Sequence, residues 1–320
     1  MKHSLLIIGP DIQKHGMGGV TIHVQRLKEY LEKNGIEYEF KDYKSNSLWA
    51  LMRMVSEYDI IHFHVSNPIY QFVLVLLSRL MGKRIVMTLH GNYGRFGIMK
   101  NGLVKSAIRM ADVPIVINRK SFDACNRINT HTCLIPAFIP PQKEETLQKD
   151  VQEMIEHYKL DGKMIVSTNA SNTATDKHGN DVYGIGFLIQ YFKDSADAIL
   201  VISDPSGNYR RRYEGLTFSS VCFIDYPHPY FQLLKFVDCF VRNTSTDGDA
   251  LSVKEALYLG VPVLCSDVVD RPEGVQLFKY SDKNSFEYGL KCLSRKSVTV
   301  SNGAEMIVCI YNSLDSRELS

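Results

Sequence analysis

Residues 246–267, TDGDALSVKEALYLGVPVLCSD, place two acids, Asp247 and Glu255, eight positions apart around the start of a predicted helix. The apolar runs CFVR (239–242) and VPVLCS (261–266) each predict a short buried strand. A strand, a helix and a second strand in this order are typical of a parallel sheet covered by helices. The stretch therefore indicates an α/β fold.

The same alternation continues through the rest of the chain. In the first 140 residues it predicts strands at 5–9, 36–42, 59–65, 84–89, 114–118 and 134–136, and helices at 20–34, 48–58, 69–81 and 102–110. Further along it predicts strands at 164–168, 198–203 and 221–226, and helices at 183–192, 229–236 and 252–259. We expect two Rossmann-like, doubly wound parallel-sheet domains, with a ligand cleft between the carboxyl edges of their strands.

The segment PAFIPPQKEE, residues 136–145, is rich in proline and then in charge, which is typical of an interdomain linker. We therefore predict an N-terminal domain at 1–140 and a C-terminal domain at 141–301. The remaining stretch, 302–320, begins with a helical pattern.

The composition is that of an ordinary globular protein, with 45% hydrophobic and 22% charged residues in a chain of 320. The net charge is +2, and the one dense basic cluster, residues 210–212, is short. A nucleic-acid binder usually shows a concentrated basic face. We therefore predict no nucleic-acid partner.

The seven cysteines are odd in number and form no Cys-x-x-Cys pair, which argues against a zinc site and favours reduced thiols in the cytoplasm. The apolar run at 69–81 is shorter than the roughly 20 residues that cross a bilayer. We therefore predict a cytoplasmic protein that is not integral to a membrane, with a peripheral contact at the inner membrane face left open.

The helix that follows Ala250 predicts an anion site. Gly248, between Asp247 and Asp249, favours a tight turn, and Ser252 or a neighbour is expected to cap the helix. Free backbone N–H groups and the positive end of the helix dipole would then face the cleft around residues 250–252 (Ala250, Leu251 and Ser252). Such a helix start suits a diphosphate.

The two acids fit the ends of the same ligand. Asp247 precedes the helix, where it can accept hydrogen bonds from a sugar near the diphosphate, and Glu255 can accept from the two hydroxyls of a ribose. The competing interpretation is a capped helix whose acids face solvent. The sequence pattern alone does not decide between ligand-binding acids and solvent-facing acids.

A glycine loop lies between the first strand and the first long helix. Gly18 and Gly19 occur in KHGMGGV, which lacks the GxGxxG spacing of a nicotinamide site. Glycines at this place let a backbone approach a phosphate closely, although a flexible turn would have the same composition.

Three histidines lie near strand ends. His62 and His64 fall on one face of the strand DIIHFHV, and His90 ends the strand VMTLH. A metal pair would need a third ligand that the sequence does not reveal, so packing is the preferred role for the first two and no metal is predicted. His90 is expected to face the ligand cleft.

Residues 239–267 resemble the signature segment of the retaining GT-B glycosyltransferases of family 4. That segment has an acid, seven residues, a Glu, and then Ala-x-x-x-Gly-x-Pro-Val. The matching residues here are Asp247, Glu255, Ala256, Gly260, Pro262 and Val263. Asp247 departs from the Glu that the family usually has.

The resemblance extends to the N-terminal half. The loop with Gly18 and Gly19 is similar to the family's Gly-Gly loop, which contacts the donor phosphate and borders the acceptor, and DIIHFHV is similar to DIVHxH. By resemblance, His90 would contact the 6-hydroxyl of the reacting sugar. The resemblance also implies that the helix within 302–320 packs back on the first domain.

One segment departs from the family pattern. Asn169-Ala170 stands where the family has Gly-Arg, and Tyr183-Gly184 stands where it has Lys-Gly. Those two family cations hold the donor diphosphate. Lys177 and His178, in the loop between these two pairs, are candidates to replace them, and Arg242 and Lys254 are further candidates.

The resemblance implies a retaining glycosyltransferase. It would transfer a hexose from a UDP- or GDP-linked sugar to a hydroxyl of a glycan or lipid-linked acceptor, in bacterial surface-polysaccharide assembly, without metal or cofactor. The missing Gly-Arg and Lys-Gly leave a second hypothesis, a catalytically weak subunit that binds a sugar nucleotide or a partner enzyme. A sugar-nucleotide epimerase of similar fold is a third.

Overall fold

The computed structural model describes residues 4–16, 18–176, 178–247, 250–296 and 298–316. The chain divides into two compact units. The first unit comprises residues 1–143 and 301–320, and the second comprises residues 144–300. Each unit contains a six-stranded sheet whose described strand pairs are all parallel.

In the first unit the strands are β1 (Leu5–Gly9), β2 (Glu39–Asp42), β3 (Ile60–Phe63), β4 (Arg84–Leu89), β5 (Val113–Val116) and β6 (Cys133–Leu134). Its helices are α1 (Ile12–His15), α2 (Gly19–Lys33), α3 (Leu48–Glu57), α4 (Pro68–Leu80), α5 (Ile98–Met110), α6 (Arg119–Asn126) and, from the end of the chain, α13 (Gly303–Asp315). The sheet order is β2-β1-β3-β4-β5-β6.

In the second unit the strands are β7 (Met164–Asn169), β8 (Ala198–Ser203), β9 (Val221–Ile224), β10 (Cys239–Arg242), β11 (Val263–Ser266) and β12 (Gln276–Phe278). Its helices are α7 (Lys149–Leu160), α8 (Ile185–Phe192), α9 (Asn208–Arg212), α10 (Tyr230–Leu234), α11 (Leu251–Tyr258) and α12 (Lys283–Lys291). The sheet order is β12-β11-β10-β7-β8-β9.

Both faces of the first sheet are covered because its strands are apolar on both sides. Along β1, Leu6 and Ile8 pack with α3, α4 and α5, whereas Leu5 and Ile7 pack with α2 and α13. Strands buried on both faces read as continuous apolar runs, which is why β1, β3 and β4 are visible in the sequence. The second sheet is covered in the same way, by α7, α10 and α11 on one face and α8, α9 and α12 on the other.

The last helix, α13, belongs to the core of the first unit. Ala304, Ile307 and Tyr311 are fully buried against β1 and α2. A side chain at Gly303 would collide with the carbonyl oxygen of Pro136, and the Gly303 amide donates to the carbonyl of Phe138 at 2.8 Å. These contacts require glycine at the first position of α13.

Tyr311 also links α13 to the sheet through a hydrogen bond between its hydroxyl and Nδ1 of His62. Because both side chains are fully buried, Tyr311→Phe is expected to lower the free energy of unfolding by about 1–3 kcal/mol, the cost of a buried polar group that loses its partner. Urea unfolding measures this loss. The exposed residue Tyr288 provides the matched control, Tyr288→Phe, which should have no effect. Equal stability of the two variants would contradict the assigned hydrogen bond.

Several elements differ from the sequence predictions. Helices α1, α6, α7, α9 and α12 and strand β12 were not predicted, helix α5 begins four residues before its predicted start, and α8 begins after Tyr183 rather than at it. Helix α11 begins at Leu251, one residue before the predicted start. Within the described residues, no helix combines the length and the apolar character that a membrane crossing requires.

Candidate functional site

The carboxyl edge of the second sheet carries a cluster of charged side chains around Asp247. Oδ2 of Asp247 lies 3.1 Å from Nε of Arg242 and 2.8 Å from Nη1 of Arg271, and Oδ1 lies 3.2 Å from Nη2 of Arg242. The hydroxyl of Thr244 is also 3.3 Å from Oδ2. Arg242 thus forms a bidentate ion pair with Asp247, and Arg271 donates a further hydrogen bond to the same carboxylate.

This cluster is almost closed to solvent. The side chains of Arg242, Asp247 and Arg271 are 11%, 8% and 3% exposed. Burial alone would raise the pKa of the Asp247 carboxyl, but the charge of Arg242 and hydrogen bonds from both arginines lower that pKa overall. The carboxyl is therefore ionised, and two guanidinium groups against one carboxylate give the cluster a formal charge of +1.

Arg242 also reaches the end of β7. Its Nη1 donates to the carbonyl oxygen and to Oδ1 of Asn169, each at 3.2 Å, and its guanidinium lies 5.0 Å from the ring centre of Tyr183. Asn169 belongs to the Asn169-Ala170 pair that stands in place of the Gly-Arg of family 4, and Tyr183 stands in place of its Lys. The structure thus brings a cation from the neighbouring strand β10 to the end of β7.

Arg271 was not among the predicted site residues. It follows β11 in the segment DRPEG, and its other nitrogens donate to the carbonyl of Ser266 at 3.3 Å and to the hydroxyl of Thr244 at 3.1 Å. Each of its three guanidinium nitrogens therefore has a partner in the protein. The signal in the sequence was its place just after a strand, at the carboxyl edge where the other predicted site residues lie.

The start of α11 lies next to this cluster. Ala250 is its N-cap and supplies no side-chain hydrogen bond, and Ser252, the residue named as a cap, instead lies buried in the first turn. Glu255 is 4% exposed, on the buried side of the same helix. The interpretation that both acids face solvent is therefore wrong. Gly248, Asp249 and Lys177 fall outside the described residues.

In the first unit, Gly18 is the N-cap of α2, and its amide donates a hydrogen bond to Oγ1 of Thr21 at 2.9 Å. A methyl group added at Gly19 would meet no atom within 4 Å. The packing of the described residues therefore does not require glycine at position 19. Contact of Gly18 and Gly19 with a donor phosphate stays a prediction.

The histidines of the first unit form a buried cluster. Nδ1 of His64 lies 2.8 Å from Nε2 of His90, and Nε2 of His62 lies 2.8 Å from the hydroxyl of Thr88. His23, on α2, joins them, with its Nδ1 2.8 Å from the carbonyl oxygen of Ala137. His23 could not be identified from the sequence, because only the folded chain brings α2 beside the histidines of β3 and β4.

Burial keeps this cluster neutral. It lowers the pKa of His23 to about 4, although the hydrogen bond that Nδ1 donates to the carbonyl oxygen of Ala137 raises that pKa, and it lowers the pKa values of His62, His64 and His90 well below the usual value. The neighbouring histidines lower the last three further. A neutral His90 whose Nε2 is engaged by His64 has Nδ1 left for another partner.

His23, His64 and His90 each offer a ring nitrogen within 4.8 Å of the others. The 2.8 Å between the nitrogens of His64 and His90 is a hydrogen-bond distance. It is shorter than the ~3.3 Å between two nitrogens bound tetrahedrally to one Zn²⁺. The described geometry is that of hydrogen-bonded neutral imidazoles, and metal independence stays a prediction.

His90 also lines a pocket in the first unit. The loop after β4 and the first turns of α4 and α5 form its walls. Gly91 in this loop has no room for a side chain because the guanidinium of Arg95 lies against it. The lining residues are Val65, Ser66, Gln71, Leu89, His90, Gly91, Asn92, Tyr93, Gly94, Arg95, Phe96, Asn101 and Val104.

No protein-family model matches the chain, and no curated protein matches it in sequence. Solved structures do match. The Anabaena protein HepE in complex with UDP is 15% identical, covers 98% of this chain and 100% of its own, and has a TM-score of 0.69. HepE in complex with UDP-glucose gives the same values.

Two further structures also match nearly the whole chain. Sucrose-phosphate synthase from Thermosynechococcus elongatus is 16% identical with a TM-score of 0.66, over 98% of this chain and 99% of its own. Together with two six-stranded parallel sheets, these whole-chain matches decide the architecture. The chain has the GT-B fold. The GT-B fold is shared more widely, since UDP-GlcNAc 2-epimerase from Methanocaldococcus jannaschii is 11% identical with a TM-score of 0.63, over 97% of this chain and 99% of its own.

Proposed function

We propose that the protein is a retaining glycosyltransferase of family 4, which transfers a hexose from a UDP- or GDP-linked sugar to a hydroxyl of a glycan or lipid-linked acceptor. The observation that carries this proposal is the cluster of Arg242, Asp247 and Arg271 beside the start of α11. On a GT-B fold this cluster offers a fixed positive charge next to the first backbone amides of α11. That combination suits the diphosphate of a nucleotide sugar.

The second unit is proposed to bind the donor. Arg242 would supply the charge that stabilises the diphosphate as it leaves, together with the backbone amides of residues 250–252. Asp247 and Arg271 hold the guanidinium of Arg242 in place, so little reorganisation is needed when charge develops. Glu255 is proposed to accept hydrogen bonds from the ribose.

The first unit is proposed to bind the acceptor at the pocket lined by His90. Because burial keeps the imidazole of His90 neutral, His90 is suited to a hydrogen bond with a hydroxyl and poorly suited to carrying a positive charge. The resemblance to family 4 implies that the leaving phosphate takes the acceptor proton, so the proposal assigns no protein general base.

Two other functions rest on particular observations. The Asn169-Ala170 and Tyr183-Gly184 pairs motivate a catalytically weak subunit, although Arg242 partly replaces their missing charge. The similarity to the archaeal 2-epimerase motivates an epimerase of sugar nucleotides. Incubation with a panel of UDP- and GDP-sugars separates the three. Transfer or slow hydrolysis with retention supports the proposal, binding without turnover supports a subunit, and an altered sugar without acceptor supports an epimerase.

Glu255→Gln tests the donor site in the second unit. Removing the carboxylate charge is expected to weaken nucleotide binding about tenfold, because hydrogen bonds to a charged group contribute more than neutral ones. Isothermal titration with UDP and GDP separately measures this change and identifies the base. Glu156→Gln, on the exposed face of α7, is the matched control. Unchanged affinity in a Glu255→Gln variant that melts normally would remove Glu255 from the proposed site.

A further inference from the structure

The first unit exposes large apolar side chains where three helices begin. Trp49 is 82% exposed in the first turn of α3, and Ile98 and Met99 are 94% and 84% exposed in the first turn of α5. Ile69, in the first turn of α4, is 53% exposed. We call these four side chains the apolar patch; Leu48 and Tyr70 add partly exposed apolar surface beside it.

The members of the patch are neighbours because of the sheet topology. Helices α3, α4 and α5 pack on the same face of the first sheet, with α4 in contact with both others. In a parallel sheet each connecting helix begins at the carboxyl edge of the strands, so all three first turns lie at that edge. With about 8–10 Å between packed helices, the patch spans roughly 20 Å.

The charge around the patch has one sign. From residue 60 to residue 111 the sequence contains no Asp or Glu, although the chain has 35 in all. Exposed cations lie beside the first turns instead, at Lys44, Arg95, Lys100 and Lys105. A second copy of this chain would bring like charges together, which disfavours self-association through the patch.

We propose that the apolar patch docks the protein on a membrane surface that contains anionic lipids. Tryptophan and long aliphatic side chains insert at the boundary between headgroups and acyl chains, and nearby lysines and arginines bind the phosphates. The patch borders the pocket lined by His90, because α4 and α5 contribute to both. This placement brings the pocket to the headgroup level. The inference that a lipid-linked acceptor presents its hydroxyl there rests on the proposed function.

The chain offers a direct probe, because Trp49 is its only tryptophan. The full-length protein is mixed with vesicles of phosphatidylcholine alone or with about one third phosphatidylglycerol. We expect a blue shift of Trp49 emission, quenching by lipids brominated on the acyl chains, and co-sedimentation with the anionic vesicles. Added salt should weaken this binding because it screens the cations. Unshifted, unquenched emission and no sedimentation with either vesicle would overturn the proposal.

Two variants test the two components of the surface. The double variant Ile98→Ser with Met99→Ser should bind anionic vesicles at least about tenfold more weakly, because it removes two insertable side chains. Lys100→Glu with Lys105→Glu should abolish the preference for anionic lipid. Leu160→Ser, at an equally exposed apolar residue of the second unit, is the control and should bind like the parent. If Ile98→Ser with Met99→Ser binds vesicles unchanged but dissociates a dimer, the patch is a protein interface and the proposal is wrong.

The docking surface and the proposed function are tested by separate measurements. Vesicle binding is measured without donor or acceptor, whereas nucleotide binding is measured without vesicles. If UDP or GDP binds and vesicles do not, the docking surface is wrong and the glycosyltransferase proposal stands. If vesicles bind and no nucleotide does, the surface stands and the proposed function is wrong.

Discussion

Replacing Arg242 with methionine is expected to reduce the affinity for the donor nucleotide by about a hundredfold. Arg242 is the proposed phosphate anchor, and a hydrogen bond from a charged group contributes up to about 3 kcal/mol, which corresponds to that factor. Methionine keeps an unbranched side chain but loses the guanidinium that lies over the ring of Tyr183. Isothermal titration with the nucleotide that the protein binds gives the change.

The same substitution removes a partner of a nearly buried carboxylate, so it also affects stability. Arg242→Met leaves the carboxylate of Asp247 paired with Arg271, so the variant keeps a neutral buried ion pair. We therefore expect it to lose only part of the stability that the cluster contributes. Arg212→Met, at an exposed arginine of the same unit, should change neither property. Near-parental nucleotide affinity in Arg242→Met would place the phosphate site elsewhere.

Lowering the pH from 7 to 5 is expected to destabilise the protein steeply, because the buried histidines resist protonation. The pKa of His23 is about 4 in the folded protein and about 6.5 when the chain is unfolded. Between these values the unfolded chain binds one proton more, so stability falls as pH decreases through this window. Between pH 7 and pH 5 His23 alone accounts for about 2 kcal/mol, and His62, His64 and His90 change stability in the same direction.

Urea unfolding at several pH values between 5 and 8 measures this slope. His23→Gln removes one titrating group, so it should flatten the slope by up to about 1.4 kcal/mol per pH unit while keeping a side chain that can donate to Ala137. His131→Gln, at an exposed histidine, is the control. A slope that is the same in the parent and in His23→Gln would show that His23 is already protonated in the folded protein.

Most strands could be predicted because they are short apolar runs between turns. Strand β8 and strand β10 are buried throughout or nearly so, and their sequences, AILVIS and CFVR, show it directly. Helix α7 was missed because only Val151 and Ile155 are buried in it, so its apolar pattern is thin. Strand β12 has three residues at the edge of the sheet, of which one is buried, and so gives almost no signal.

The site could be predicted only where its residues are close in sequence. Asp247 and Arg242 are five residues apart, and the strand–loop–helix pattern placed both at the carboxyl edge. Arg271 lies 24 residues from Asp247, and their contact depends on the pairing of β10 with β11, in which Arg242 is opposite Cys265. His23 is separated from His64 by 41 positions, and only the packing of α2 brings them together. A local sequence pattern carries no information about contacts between residues that are so far apart in the chain.

Helix α13 makes the first unit discontinuous in sequence, with the whole second unit inserted between residues 143 and 301. During synthesis on the ribosome, the face of β1 that bears Leu5 and Ile7 stays partly uncovered until Ile307 and Tyr311 have been synthesised, some 300 residues later. The second unit can complete its own core before then. We therefore expect the earliest-made domain to mature last, and a chain stopped before residue 303 to carry an uncovered apolar sheet face that attracts chaperones and proteases.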